Sequence, residues 1–122
     1  MRNKRLFVLV FTVCLLFFAC EKYEGTISGK VVYVEGGVEF PAVDAVITKI
    51  ELKSEEEIVV SKEKTDSSGN YVLDYITKGS WKVVGWLEID DLVYEGVSDA
   101  IKMEGNKKEV VNLVLMQIKN KE

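Results

Sequence analysis

From Thr26 onward the chain is a succession of short apolar-rich runs, each closed by turn-forming residues, and this punctuation leaves room for little except β-structure. Thr26 to Val34 alternates, with Ile27, Gly29, Val31 and Tyr33 on one face and Ser28, Lys30, Val32 and Val34 on the other. Glu35-Gly36-Gly37 interrupts it, and Pro41 lacks the backbone donor a central strand needs. Further runs cover Val43–Leu52, Ile58–Lys64, Asn70–Ile76, Ser80–Leu87, Leu92–Val97 and Glu109–Ile118. Between them lie Ser54–Glu57, Thr65–Asn70, Thr77–Gly79 and Gly105–Lys108, rich in turn formers or charge. Ser98–Glu104 fits either one helical turn or a short strand. Strands at roughly ten-residue spacing predict an all-β fold: a single antiparallel Greek-key β-sandwich of about seven strands.

The first twenty residues obey a different logic. Met1–Arg5 carries three cations and no acid, Leu6–Phe18 is apolar apart from Thr12, and Ala19-Cys20 follows. A basic start, an apolar stretch of about 13 residues and a small residue before the cut predict a signal-peptide helix. At about 1.5 Å per residue that helix is roughly 20 Å long, short of the roughly 30 Å hydrocarbon core. Leu16-Phe17-Phe18-Ala19-Cys20 resembles the lipobox of bacterial lipoproteins, in its looser Bacteroidota-type form. The resemblance implies cleavage before Cys20, lipid on its thiol and an envelope location, most readily the outer membrane, facing either the periplasm or the surface. Several acyl chains on one residue make release negligible, at about 0.8 kcal/mol per buried methylene. The expected organisation is a removed leader over 1–19, lipidated cysteine and tether over 20–25, a sandwich over 26–118 and a polar tail over 119–122.

Composition narrows the functions. The leader holds three of the sixteen basic residues and none of the twenty acidic ones, so the mature chain is strongly negative. A negative domain has no electrostatic reason to bind nucleic acid or an anionic lipid surface. There is no histidine, and the two cysteines are Cys14 in the leader and Cys20 at the cut. That removes the commonest general base, the commonest zinc ligand and every Ser-His-Asp or Cys-His arrangement. The expectation is a non-enzyme with no cofactor and no metal.

Four motifs carry a second resemblance. Ile27, Gly29 and Val31 form an Ile-x-Gly-x-Val strand, and Pro41, Ala45 and Ile47 a Pro-x-x-x-Ala-x-Val-type one. Thr65, Asp66, Gly69 and Tyr71 give Thr-Asp-x-x-Gly-x-Tyr, and Gly79, Trp81 and Val83 give Gly-x-Tyr-x-Val with tryptophan in the aromatic place. Together they resemble the carboxypeptidase regulatory-like domains, which are prealbumin-like (transthyretin-like) sandwiches. The resemblance implies that fold over about residues 25 to 116 and no particular activity. Gly69 and Gly79 suit turn positions with φ > 0, and Asp66 can bond backbone donors in its own turn. Two chemical relatives of the fold are disfavoured. The urate-pathway hydrolases use histidines, and the isopeptide of pilin-type sandwiches needs an inward lysine and asparagine. Here Lys30 and Asn112 are out of phase with their apolar neighbours and should face solvent.

Other candidates are weaker than their structural explanations. Asp66-x-Ser68-Gly69-Asn70 has too few acids for a calcium loop. Glu88, Asp90 and Asp91 read as a solvated loop, and Glu55–Glu57 as charges that discourage edge pairing. The surface that stands out is on the Ser80–Leu87 strand. Trp81, Val83 and Gly85 share the inward phase, so Val84 and Trp86 point outward, with Tyr94 of the following strand expected beside them. Outer sheet faces are usually polar, and an exposed tryptophan suggests a contact patch. The expected function is a lipid-anchored envelope module for docking or structure, with envelope proteins as partners. A carbohydrate- or peptide-binding role is the alternative.

Overall fold

The computed structural model describes residues 24–120, so the leader helix and Cys20 lie outside the described residues. The described chain is all-β and forms ten strands: β1 (Gly25–Glu35), β2 (Val38–Pro41), β3 (Val46–Lys53), β4 (Glu56–Lys64), β5 (Asn70–Ile76), β6 (Gly79–Ile89), β7 (Leu92–Val97), β8 (Ile101–Met103), β9 (Lys108–Val110) and β10 (Leu113–Asn120). They join one hydrogen-bonded system with the main order β2-β1-β10-β7-β6-β3-β4; β5 and β9 pair with β1, and β8 with β6.

β1 is the hinge of the design. Its first half, Gly25 to Lys30, pairs with β5 on one side and β9 on the other. Its second half, from Val31, pairs with β2 and β10. One strand thus belongs to two layers, and their inner faces meet in a single core. Ile27, Val31, Tyr71, Leu73 and Ile76 of β1 and β5 pack with Ile47, Trp81, Val83, Leu87, Tyr94, Leu113 and Leu115.

Several details depart from the expectation of seven antiparallel strands. The β1 pairings with β9 and β10 are parallel, because the two ends of the domain run the same way with the rest of the chain as the connection. The expected last strand is broken at Val111-Asn112, where the chain steps from one layer to the other. The Val111 amide donates to the Ser28 carbonyl (2.7 Å), and Asn112 Oδ1 accepts the Lys30 amide (2.9 Å). Residues 38–41 form an edge strand that tolerates Pro41, and Ile101–Met103 settles the open segment as strand. β10 also runs through Asn120, so strand pairing reaches into the segment expected as a polar tail.

The turn chemistry follows local rules. Gly69 has φ +82°, and a Cβ there would sit 2.6 Å from the Val31 carbonyl oxygen. Asp66 Oδ1 accepts the amides of Ser68 and Asn70, each at 2.9 Å. Those bonds, Asn70 first, hold its carboxyl below the usual range. Gly79, with φ +144°, opens β6 after the turn. Trp81 spans that turn, donating from Nε1 to the Thr77 carbonyl (2.8 Å). A further bond ties the layers: Lys49, almost fully buried on β3, donates to the Asp74 carbonyl of β5 (3.0 Å) and lies 5.8 Å from the Trp81 ring centroid.

Tyr71 supplies a testable tie of its own. Its hydroxyl donates to the Val111 carbonyl (2.5 Å), and burial pushes it up to about 12. A folded value above the unfolded one means the stabilisation is whole below pH ~10 and is lost as pH rises through ~12. Urea midpoints of the wild type should therefore fall between pH 9 and pH 11.5, and Tyr71→Phe should flatten that fall while lowering the midpoint at pH 7. An unchanged alkaline slope in Tyr71→Phe would show that the hydroxyl is not held in the folded state.

Candidate functional site

The site is built around Trp86, which the alternation of β6 turns away from the core. Trp81, Val83, Gly85 and Leu87 are buried, whereas Trp86 is 36% exposed. In register it stands between Val46 of β3 and Glu95 of β7. Glu95 in turn faces Met116 of β10, which is 53% exposed. Val84, half-buried, stands between Thr48 and the exposed Val97. The outer face of this sheet is therefore apolar at several neighbouring positions, against the usual pattern for a solvated face.

Beside Trp86 the surface sinks into a cleft of about 450 Å³ lined by Tyr33, Pro41, Val43, Asp44, Val46, Trp86, Leu87, Glu88 and Ile89. Three segments build it. The second half of β1 brings Tyr33, whose ring stacks on Phe40 of β2 at 5.5 Å and 28°. The end of β2 and its link to β3 bring Pro41, Val43 and Asp44, the last at φ +57°. That link is pinned from below by the buried Thr65, whose hydroxyl donates to the Ala42 carbonyl and accepts the Ala45 amide at 2.9 Å. The end of β6 brings Trp86 to Ile89. Aromatic and acidic side chains are thereby brought together on strands and on a hydrogen-bonded link.

The structure separates the residues singled out in the sequence. Trp86 and Val84 share the outer face, as their phase requires. Tyr94 does not join them: it is 1% exposed, pairs with Leu87 and packs its ring 5.1 Å from Tyr33. The cause is the two-residue turn at Asp90-Asp91, which pairs Ile89 with Leu92 and so gives Tyr94 the inward phase of Leu87. Burial first, then the Glu35 charge, pushes the Tyr94 hydroxyl up. Its contribution is indirect, as the support under Tyr33.

Lys30 is exposed, but Asn112 turns its side-chain oxygen onto the Lys30 main-chain amide, where it fastens the step between layers. The Asp66 carboxylate is engaged by backbone donors in its turn. Of the acids before β7, Asp90 and Asp91 form the turn, while Glu88 lines the cleft. Among the described residues no three His, Cys, Asp or Glu side chains gather as a metal site. Tyr33, Phe40 and Asp44 were not singled out in the sequence. Tyr33 ends an inward series that runs out beyond the core, and an aromatic at such a place is the signal that points to a cleft.

No family model matches the chain, and no curated protein matches it in sequence. Solved structures do resemble it. One is a Pseudomonas aeruginosa protein described as a candidate carbohydrate-binding protein, with TM-score 0.55 and 12% identity over 77% of this chain and 90% of that one. A second is the minor pilin of Streptococcus agalactiae, with TM-score 0.54 and 18% identity over 82% of this chain and 47% of that one. A third is an alternative pilotin of the Vibrio cholerae type II secretion system, with TM-score 0.47 and 18% identity over 80% and 99%. At these identities the likeness is one of fold.

Proposed function

We propose that the chain is a lipid-anchored, non-catalytic docking module of the bacterial envelope, with a prealbumin-like sandwich that engages a partner through the Trp86 cleft. The observation that carries it is the position of that cleft. β1 begins at Gly25, five residues beyond Cys20, and reaches the cleft at Tyr33. At about 3.3 Å per residue the intervening strand spans roughly 26 Å. An anchor on Cys20 would therefore leave the exposed tryptophan at the pole facing away from the membrane. A carbohydrate-binding role is the second reading, favoured by the flat face of Trp86 beside two carboxylates, and it agrees with the description of the Pseudomonas neighbour. The leader motif supports an envelope location, and the outer membrane is its finer form.

Two experiments test this. Labelled palmitate should enter the wild type and be absent from Cys20→Ala, which should also leave the membrane fraction; a mature-size wild type without lipid would end the anchor proposal. The full chain with Trp86→Ser should lose most of its retention of envelope material at unchanged stability, and undiminished retention would end the docking proposal.

A further inference from the structure

Away from the cleft, Tyr75 is at odds with its position in the fold. It is 74% exposed, the most exposed large apolar side chain among the described residues, and its φ is +59°. The other described non-glycine residues with positive φ are Asp44, Ser54, Asp90 and Asn106, whose short polar side chains suit turns. Tyr75 is bulky, and its backbone is set by a bulge. Gly25 pairs with Ile76 and Ile27 with Leu73, so Asp74 and Tyr75 both stand opposite Thr26. Glycine ordinarily fills a left-handed bulge position, because a side chain there is strained. A ring mostly in solvent returns little packing for that strain, and strain of this kind is held where a residue acts on something outside the fold.

Resting on the reading of Cys20 as the lipid anchor, we infer that the outer face of the β5-β1-β9 layer lies on the phospholipid surface holding that anchor, with Tyr75 as its interfacial aromatic.

The face has the composition such a contact needs. Val72 and Val110 flank Ser28 in register, about 10 Å apart at the usual strand spacing, and both are exposed, Val110 to 71%. Tyr75 lies one row nearer the start of β1. Lys30 and Lys108 share the outward phase with Thr26 and Ser28. Asp74 is the acid within these strands, its carboxylate accepting the Thr26 hydroxyl (3.3 Å), and Glu24 flanks the face just before β1. In a chain with twenty acidic residues this surface is close to neutral, so charge does not oppose apolar contact. Tyrosine suits the lipid–water boundary because its ring is apolar and its hydroxyl stays wet.

The tether identifies the occupant. Thr26 is six residues beyond Cys20, and at no more than about 3.6 Å per residue it stays within roughly 22 Å of the lipidated thiol. β1 is the central strand of this layer, so β5 and β9 share its reach. The domain as a whole is negative and would not seek an anionic surface unaided. The anchor supplies the local concentration, and the face has only to be the one that turns inward. Trp86 lies on the outer face of the other layer, so the same contact turns it away from the membrane.

The test uses the mature lipidated chain in vesicles of phosphatidylcholine and phosphatidylglycerol. Cys14 leaves with the leader and lipid blocks Cys20, so Val110→Cys provides the one thiol open to a maleimide dye. That dye should be quenched by nitroxide-bearing lipid and shielded from aqueous iodide. A dye on Asp90→Cys, beyond the far end of β6, should instead be open to iodide. Adding Tyr75→Gly to Val110→Cys should cut the lipid quenching about threefold. The same change should raise the urea midpoint in detergent, because the bulge is relieved of its strain. Equal iodide access at both positions, in a chain that floats with the vesicles, overturns the contact and leaves the anchor standing. Shielding of position 110 without quenching by lipid assigns the face to a protein and overturns it too. A lowered midpoint or unaltered quenching in Tyr75→Gly makes Tyr75 structural and ends its interfacial role. Dye uptake by the chain without an added cysteine reveals a free Cys20 thiol, and overturns the anchor reading together with this one.

Discussion

Gly29→Val is expected to prevent folding, with a loss of about 4 kcal/mol or more against a total stability of order 5–15 kcal/mol. A Cβ added at Gly29 would lie 2.0 Å from the Val111 carbonyl oxygen and 2.6 Å from its carbon. Both atoms are main chain, so no rotamer change relieves the contact, and overpacking here must move a strand. The strand is clamped on either side. Val111 is bonded to Ser28, Asn112 to Lys30, and Tyr71 reaches the same Val111 carbonyl from β5. Gly29 is therefore the point at which β1 passes closest to the Val111-Asn112 step between layers, which gives a physical cause for glycine in the first-strand motif. Gly36→Ala is the control: nothing lies within 4 Å of its added Cβ, and only its φ of +58° is strained. It should cost about 1 kcal/mol. Urea titration followed by near-ultraviolet circular dichroism distinguishes them. A Gly29→Ala midpoint equal to that of the wild type would mean that β1 and the Val111 step do not approach as described.

What the sequence made legible was whatever depends on local chemistry or on period two. The Asp66–Asn70 turn is written in its own residues, since aspartate accepts amides two and four places on and Gly69 takes the positive φ. The opposite phases of Trp81 and Trp86 follow from their spacing of five along one strand. Tyr94 sits opposite Leu87 and not beside Trp86 because Asp90-Asp91 is a two-residue connection, which fixes the register of β7 on β6. The break at Val111-Asn112 was not legible, because Glu109–Ile118 reads as one apolar run and only the distant Ser28–Lys30 segment divides it. The cleft was half legible. Trp86 declared itself, but Tyr33 and Asp44 reach it through pairings between strands distant in sequence, such as Val46 with Trp86 and Tyr33 with Leu115, and no local pattern records those.

Trp81 and Trp86 should respond to truncation in opposite ways. Trp81 is 2% exposed in the core, donates to the Thr77 carbonyl and lies under the Lys49 ammonium. Trp81→Ala removes that packing, frees the Thr77–Gly79 turn and leaves Lys49 buried without its ring, so a loss of about 3 to 5 kcal/mol is expected. Trp86 meets solvent on the outer face between Val46 and Glu95, and Trp86→Ser should cost less than about 1 kcal/mol, as surface changes usually do. The two substitutions remove the same kind of ring from one strand, so the comparison isolates which face each occupies. Urea midpoints give the energies, and the remaining tryptophan reports by its emission, blue-shifted for Trp81 and red-shifted for Trp86. A Trp86→Ser loss as large as that of Trp81→Ala would make Trp86 a core residue, and a core residue cannot also present its ring to a partner.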